Sequence, residues 1–375
     1  MSDNEEMVLE TGVDRRKFLE TGLKKYFDAA LRYEASDLIL RGGQTARLRL
    51  RGALKSLEGE IDGEEFEKWI QDAVSEQQYR TYLTKGSLDL GFELDDENRF
   101  RVNIFRTRGL SAIAARRVSA EILDFESLHL PPTMQKVAEL HQGMVLLCGI
   151  TGSGKSTTIA SMLQYINKHR NCHVVTIEDP IEYLFKSEKA MINQREIGID
   201  VPDFGTALRA LVRENPDVVL IGEMRDKETF EAAIQAAETG HLVLGTIHAS
   251  SAPQAFSRIY DLYEANERAN VRNMLGYQMQ AFIYQKLLPT LHEDIPRVPA
   301  VEILLQSPAT RKYILEGREG ELTEVIKSER EHGMQTLNDS LVELVEKEYV
   351  HPKVAAAATP NPAEVKMRLK GIKTG

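Results

Sequence analysis

The stretch GITGSGKST, Gly149–Thr157, constrains what this chain can fold into more than any other. It follows the apolar run GMVLLC, Gly143–Cys148, and precedes a helical segment reaching about Asn167. The spacing GxxxxGK[ST] between a strand and a helix is that of a loop that wraps a polyphosphate. Backbone N–H groups of Gly149, Thr151, Gly152, Ser153 and Gly154 can turn inward there, and the new helix points its positive end at the anion. Lys155 is expected to reach the β- and γ-phosphates, the Ser156 hydroxyl to ligate Mg2+, and Thr157 to complete the set. The segment is therefore a binding site for ATP with Mg2+.

One buried strand feeding a helix calls for others. HVVTIED (173–179), DVVLIGE (217–223) and HLVLGTIH (241–248) are further apolar runs separated by helical segments. Their alternation predicts an α/β domain with a mostly parallel sheet and helices on both faces. In such sheets ligands sit beyond the carboxyl ends of the strands. Glu178, Asp179 and Glu223 lie at those ends, whereas Asp217 precedes its strand and belongs to the far edge. Hydrolysis needs a positioned water and a held magnesium shell. We assign Glu223 to the magnesium-water shell and Glu178 to the attacking water, roles that the sequence allows to be exchanged. For Asp179 the alternative reading is a helix cap or a surface ion-pair partner. His241 and His248 bracket one strand at opposite ends, so they cannot both touch one phosphate. His248, at the carboxyl end, is the candidate γ-phosphate sensor.

The N-terminal third has a different rhythm. Residues 1–14 carry five acidic and no basic residues and read as a solvated acidic tail, the opposite of a secretory signal. An amphipathic helix is expected over 15–34, then strands SDLIL and ARLRLRGAL, a helix over 63–83, and strands SLDLGFEL and RFRVNIFRT. These make a small α+β domain over 15–127. Residues 128–135, with Pro131-Pro132, read as a linker. The ATPase domain then spans 136–350, mostly helical after Ala252, and 351–375 read as a loosely ordered tail. The arginines of RFRVNIFRTRG and ARRV read either as a solvated edge strand or as arginine fingers for a triphosphate.

Composition sets outer limits. The chain's 375 residues, 42% hydrophobic and 28% charged, suit two cored domains, and no apolar run suggests a membrane span. Its two cysteines, Cys148 and Cys172, lack metal-ligand spacing and fit a reducing cytosol. A formal net charge of −10 argues against a broad nucleic-acid footprint, and no nucleic acid is expected as partner.

The stretches ASDLIL, RFRVN, GITGSGKSTT, TIEDPIEY, NQREIG, ALRALVRENPDVVLIGEMRD, AAETGHLVLGTIHASSA and GMQTLNDSL occur in this order over residues 30 to 350. In that order they resemble the type II/type IV secretion ATPase superfamily, and most of all its type IV pilus retraction, or twitching motility, branch. The resemblance implies a PAS-like N-terminal domain, a RecA-like P-loop domain and a homohexameric ring. It further implies a cytoplasmic motor at the inner membrane, coupled to a platform protein and to a paralogous pilus ATPase. TIEDPIEY corresponds to the family's Asp box, carrying Glu178. VVLIGE corresponds to its Walker B, with Gly222 where other ATPases have Asp and Glu223 as the working carboxylate. TGHLVLGTIH corresponds to its His box. RFRVN falls where the family has nucleotide-contacting arginines, which selects Arg101 and Arg116 ahead of Arg108. Three features depart from or refine the pattern. Tyr263-Glu264 stands where the family has Phe-Pro, and ATRKYILEG from Ala309 replaces an AIRNL-like helix. The paired CxxC motifs of extension-type members are missing.

Overall fold

The computed structural model describes residues 15–50, 52–95, 98–118 and 121–372, with the side chain of Val212 left aside. The acidic stretch 1–14 lies outside the described residues. The chain divides into two compact units. Unit 1 runs to Glu121 and includes Pro180–Phe185 and Glu196–Pro202; unit 2 takes the remainder from Ile122.

Unit 1 comprises α1 (Arg15–Glu20), α2 (Lys24–Arg32), β1 (Asp37–Arg41), β2 (Thr45–Leu50) and β3 (Ala53–Glu60), then α3 (Gly63–Ala73) and α4 (Glu76–Lys85), and finally β4 (Ser87–Glu93), β5 (Arg99–Thr107) and β6 (Leu110–Arg117). Its six strands form an antiparallel sheet in the order β3-β2-β1-β6-β5-β4. Phe18, Phe27, Phe92 and Phe100 pack as one aromatic cluster in the core. Three expected elements are each split in two, by local chemistry. The helix over 15–34 breaks where Thr21 Oγ1 turns back onto the Phe18 carbonyl at 2.7 Å. The helix over 63–83 breaks at Ser75, whose capping box with Gln78 starts α4 afresh. ARLRLRGAL is a hairpin, with β2 and β3 pairing antiparallel on either side of the turn at Gly52.

Unit 2 begins with α5 (Thr133–Ala138), β7 (Gly143–Cys148), α6 (Lys155–His169), β8 (His173–Glu178), β9 (Met191–Glu196) and α7 (Phe204–Leu211). It continues through β10 (Val218–Ile221), α8 (Lys227–Glu238), β11 (Leu242–Ile247), α9 (Ala252–Tyr260), α10 (Arg268–Gln278), β12 (Met279–Pro289) and β13 (Arg297–Leu305). Helices α11 (Pro308–Leu315), α12 (Leu322–Ser328), α13 (Leu337–Glu346), α14 (Pro352–Ala358) and α15 (Pro362–Arg368) close the chain. The seven-stranded sheet has the order β13-β12-β7-β11-β10-β8-β9, parallel from β12 through β8, with β13 antiparallel at its end.

Two expectations need correction here. The region after Ala252 is predominantly helical but not only so: β12 and β13 form a long hairpin that extends the sheet beside β7. Its apolar run, AFIY, is too short to distinguish strand from buried helix by pattern. The tail from 351 is not loosely ordered but forms α14 and α15. His351 and Asn361 cap these helices, each with Pro at the first position, and Ala355, Ala356 and Val365 are buried. Lys286 Nζ donates to the Ala358 carbonyl at 3.1 Å, and Arg368 pairs with Asp339 at 2.7 Å. The stretch expected as a linker lies in unit 2, where Thr133 opens α5 and donates to the Gly333 carbonyl at 3.1 Å.

Candidate functional site

Strand register builds the site. Ile247 pairs with Cys148, and Ile221 lies level with both Ile177 and Gly245. The residues that follow, Gly149, His248, Glu178 and Gly222-Glu223, therefore gather along one carboxyl edge. Asp217 is at the other end, where its carboxylate accepts the His173 amide at 2.8 Å. His241 also lies there, its Nδ1 2.8 Å from the Ala236 carbonyl in the last turn of α8.

The loop from Gly149 to Gly154 rises off β7 and turns into α6. Gly154 has φ +86°, and a β-carbon there would sit 2.8 Å from Gln285 Nε2. That left-handed conformation and close approach favour glycine. The N-cap of α6, Gly154, makes no side-chain cap, and the helix points its positive end into the loop. Thr151 and Gly152 are exposed, Ser156 and Thr157 are half-buried in the first turn, and Ser153 and Lys155 are buried. Lys155 Nζ donates to the carbonyls of Gly149 at 2.8 Å and Ile150 at 3.1 Å.

Three groups converge on this loop. His248 Nδ1 lies 3.1 Å from the Gly149 carbonyl oxygen, the atom that also accepts from Lys155. His248 Nε2 lies 2.9 Å from Glu223 Oε1. Both ring nitrogens thus face oxygen atoms. Arg225 Nη2 donates to Glu223 Oε2 at 2.5 Å. That hydrogen bond first, opposed by partial burial and then reinforced by the charges of Arg225, His248 and Lys155, holds the Glu223 carboxyl below its ordinary range.

Glu178 has a different setting. Buried at the end of β8, it accepts from Thr176 Oγ1 at 2.6 Å and from Gln194 Nε2 at 3.2 Å, both neutral donors. A β-carbon at Gly222 would come 3.3 Å from the Ile177 carbonyl and 3.4 Å from Glu178 Cα, so a side chain there would be slightly tight against that carbonyl and in ordinary contact with Glu178. Asp179 is exposed next to it.

Arg101 and Arg116 belong to unit 1, where they are direct neighbours across β5 and β6. Arg116 Nε donates to Asp37 at 2.8 Å and remains largely exposed. Arg108 occupies the two-residue turn Arg108-Gly109, with positive φ at both positions.

Sequence reasoning missed four residues of this neighbourhood. Gln285 on β12 accepts from Thr158 Oγ1 at 2.8 Å and donates to the Ser153 carbonyl at 2.9 Å, bracing the loop against the sheet. Thr176, Gln194 and Arg225 orient the two carboxylates. Only Thr176 carried a signal, since a period of two puts it on the face of Glu178. Gln285 carried none, being a lone amide in a region read as helical.

A glycine loop between strand and helix, with paired acidic strand ends beside it, defines a nucleotide-binding P-loop protein on a RecA-like α/β domain. Residues 14–347 match the family described as Type II/IV secretion system protein, and the chain belongs to that family. It is 41% identical over 318 residues to a twitching motility protein of Neisseria gonorrhoeae, covering 84% of this chain and 85% of that one. It is 39% identical over 315 residues to the type IV pilus retraction ATPase PilT of Pseudomonas aeruginosa, covering 84% and 91%. Among solved structures, the pilus retraction motor PilT with bound ADP superimposes with a TM-score of 0.85 at 38% identity, covering 92% of this chain and 98% of that one. No helix among the described residues is long and apolar enough to cross a membrane.

Proposed function

We propose that this chain is an ATP-hydrolysing motor subunit that drives type IV pilus retraction. The observation carrying this reading is the convergence of Lys155, His248 and, through His248, Glu223 on the carbonyl of Gly149. Nucleotide phosphates at the N-terminal end of α6 draw Lys155 away from that carbonyl, and His248 relays the change to Glu223. Glu223, with its charge offset by Arg225 and His248, is a weak base and suits the magnesium-water shell. Glu178, at the end of the neighbouring strand, orients the attacking water. The donors offered to Mg2+, the Ser156 hydroxyl and the Glu223 carboxylate, are hard oxygens that fit it. Mg2+ there would offset charge on the β- and γ-phosphates.

The same reading makes the protein a homohexamer, cytoplasmic at the inner-membrane face, acting through a platform protein. Arg101 and Arg116 serve as arginine fingers, and Arg116 must leave Asp37 to do so. Lys155→Ala and Glu223→Ala should each lower ATP turnover by roughly 100-fold or more, and strains carrying them should retain a surplus of surface pili. Undiminished turnover in both variants overturns the assignment. A second reading, an accessory ATPase with little turnover of its own, is favoured by the sequence ATRKYILEG over α11. Turnover of the purified chain, alone and mixed with a paralogous pilus ATPase, separates the two.

A further inference from the structure

Two stretches of chain depart from the P-loop unit to join unit 1. Pro180–Phe185 begins directly after Glu178-Asp179, and Glu196–Pro202 begins directly after Gln194-Arg195. Glu178 and Gln194 are the residues joined at 3.2 Å at the ends of β8 and β9. So the chain on the far side of both partners is built into the N-terminal unit.

Within unit 1 both stretches meet on one carboxylate. Glu196 Oε2 accepts the Ile181 amide at 3.2 Å and pairs with Arg99 Nη2 at 2.8 Å. Arg99, on β5, is 8% exposed and Glu196 4%. Gly91 on β4 makes room for them, since a β-carbon there would lie 2.5 Å from Arg99 Nη2 and 2.9 Å from Ile199 Cδ1. Burial raises the Glu196 carboxyl pKa against the pull of Arg99, so the pair is well sequestered from water. Arg99 therefore differs from Arg101, two residues along β5, and from Arg116, opposite Arg101 on β6. It is committed inside the protein and cannot serve as a finger.

We infer that Arg99 is a positioning residue for hydrolysis: its ion pair with Glu196 fastens to unit 1 the chain beyond Glu178 and beyond Gln194, and so sets where Glu178 holds the attacking water. The inference rests on the reading of Glu178 given above. A displacement of about 1 Å at a reacting group costs on the order of 100-fold in rate, so slack in this latch reads out in the chemical step. Binding of the phosphates by the loop after β7 does not pass through it.

The test uses the full-length chain and single-turnover ATP hydrolysis. Arg99→Met and Glu196→Gln should each lower the hydrolysis rate by about 10- to 100-fold, with ATP-analogue affinity changed by no more than roughly twofold. Glu196→Gln keeps size and neutralises the buried carboxylate, the milder of the two changes, and thermal unfolding establishes that each variant is folded. In a Glu178→Gln background, Arg99→Met should cause no further loss, because both changes remove the same function. Wild-type rates in folded Arg99→Met and Glu196→Gln, or losses that multiply with that of Glu178→Gln, overturn the latch and leave the role of Glu178 standing. Full turnover in Glu178→Gln alone overturns the role of Glu178, and the latch with it.

Discussion

Helices α6 and α13 belong to the same unit and treat their N-termini in opposite ways. At α6 the N-cap is Gly154, which makes no side-chain cap, and the first turn holds no acidic residue but carries Lys155. At α13 the amides are taken. Thr336 and Asp339 form a capping box, with Thr336 Oγ1 donating to Asp339 Oδ2 at 2.6 Å, and the Leu337 amide is bound by buried Glu302. Glu302 also accepts the Ala252 amide at 2.7 Å, closing α9 with the same carboxylate. A helix whose partial positive charge is already met by protein carboxylates is a structural part. One with no acidic residue in its first turn, beside a buried lysine, suits a foreign anion. The contrast locates function by what the protein declines to fill.

Exchanging the properties of the two ends should break the comparison. The largest effect is expected from Gly154→Ala. It forces a left-handed conformation that costs about 1–2 kcal/mol in an L-residue and displaces Gln285, so turnover should fall by roughly 100-fold in a steady-state ATPase assay. Asp339→Asn should leave turnover of the folded protein intact and lower stability by about 2–3 kcal/mol, read by denaturant unfolding at neutral pH. Burial would raise the Asp339 pKa, but the Thr336 hydroxyl and amide and Arg368 outweigh it and hold the carboxyl below its ordinary value. A depressed folded pKa means stability that is present above the unfolded pKa and lost as pH falls through the folded one. The gap between wild type and Asp339→Asn should therefore close in acid. Thr336→Ala should cost about 1 kcal/mol with no effect on hydrolysis.

The smallest effect sharpens the contrast within α13 itself. Burial raises the Glu302 pKa despite its two amide donors. Its contribution is therefore fully present below the unfolded value and lost as pH rises through the folded one. Relative to Glu302→Gln, wild type should lose stability with rising pH, the reverse of the slope at Asp339. Unfolding midpoints of both proteins across the acid-to-neutral range decide it.

Much of this was legible in the sequence. Gly149–Thr157 carried its own context, since a buried strand, a glycine turn and a helix are all local patterns. The placement of Glu178, Glu223 and His248 on one edge followed from strand direction alone. Breaks in the N-terminal helices were harder to read, because the capping box at Ser75 competes with an apolar period that runs through it. The tail was misjudged because few acidic residues and three prolines suggest disorder. Yet Pro352 and Pro362 stand at first helical positions behind capping residues, where proline is at home.

Sequence by itself determined the phosphate loop, the parallel sheet around it and the acidic edge beyond it, because each depends on spacing between near neighbours along the chain. Tertiary structure alone decided which distant donors meet each carboxylate. It gave His248 to Glu223, Gln194 to Glu178 and Arg99 to Glu196. Those partners come from other strands, and their approach depends on distances that no local pattern encodes.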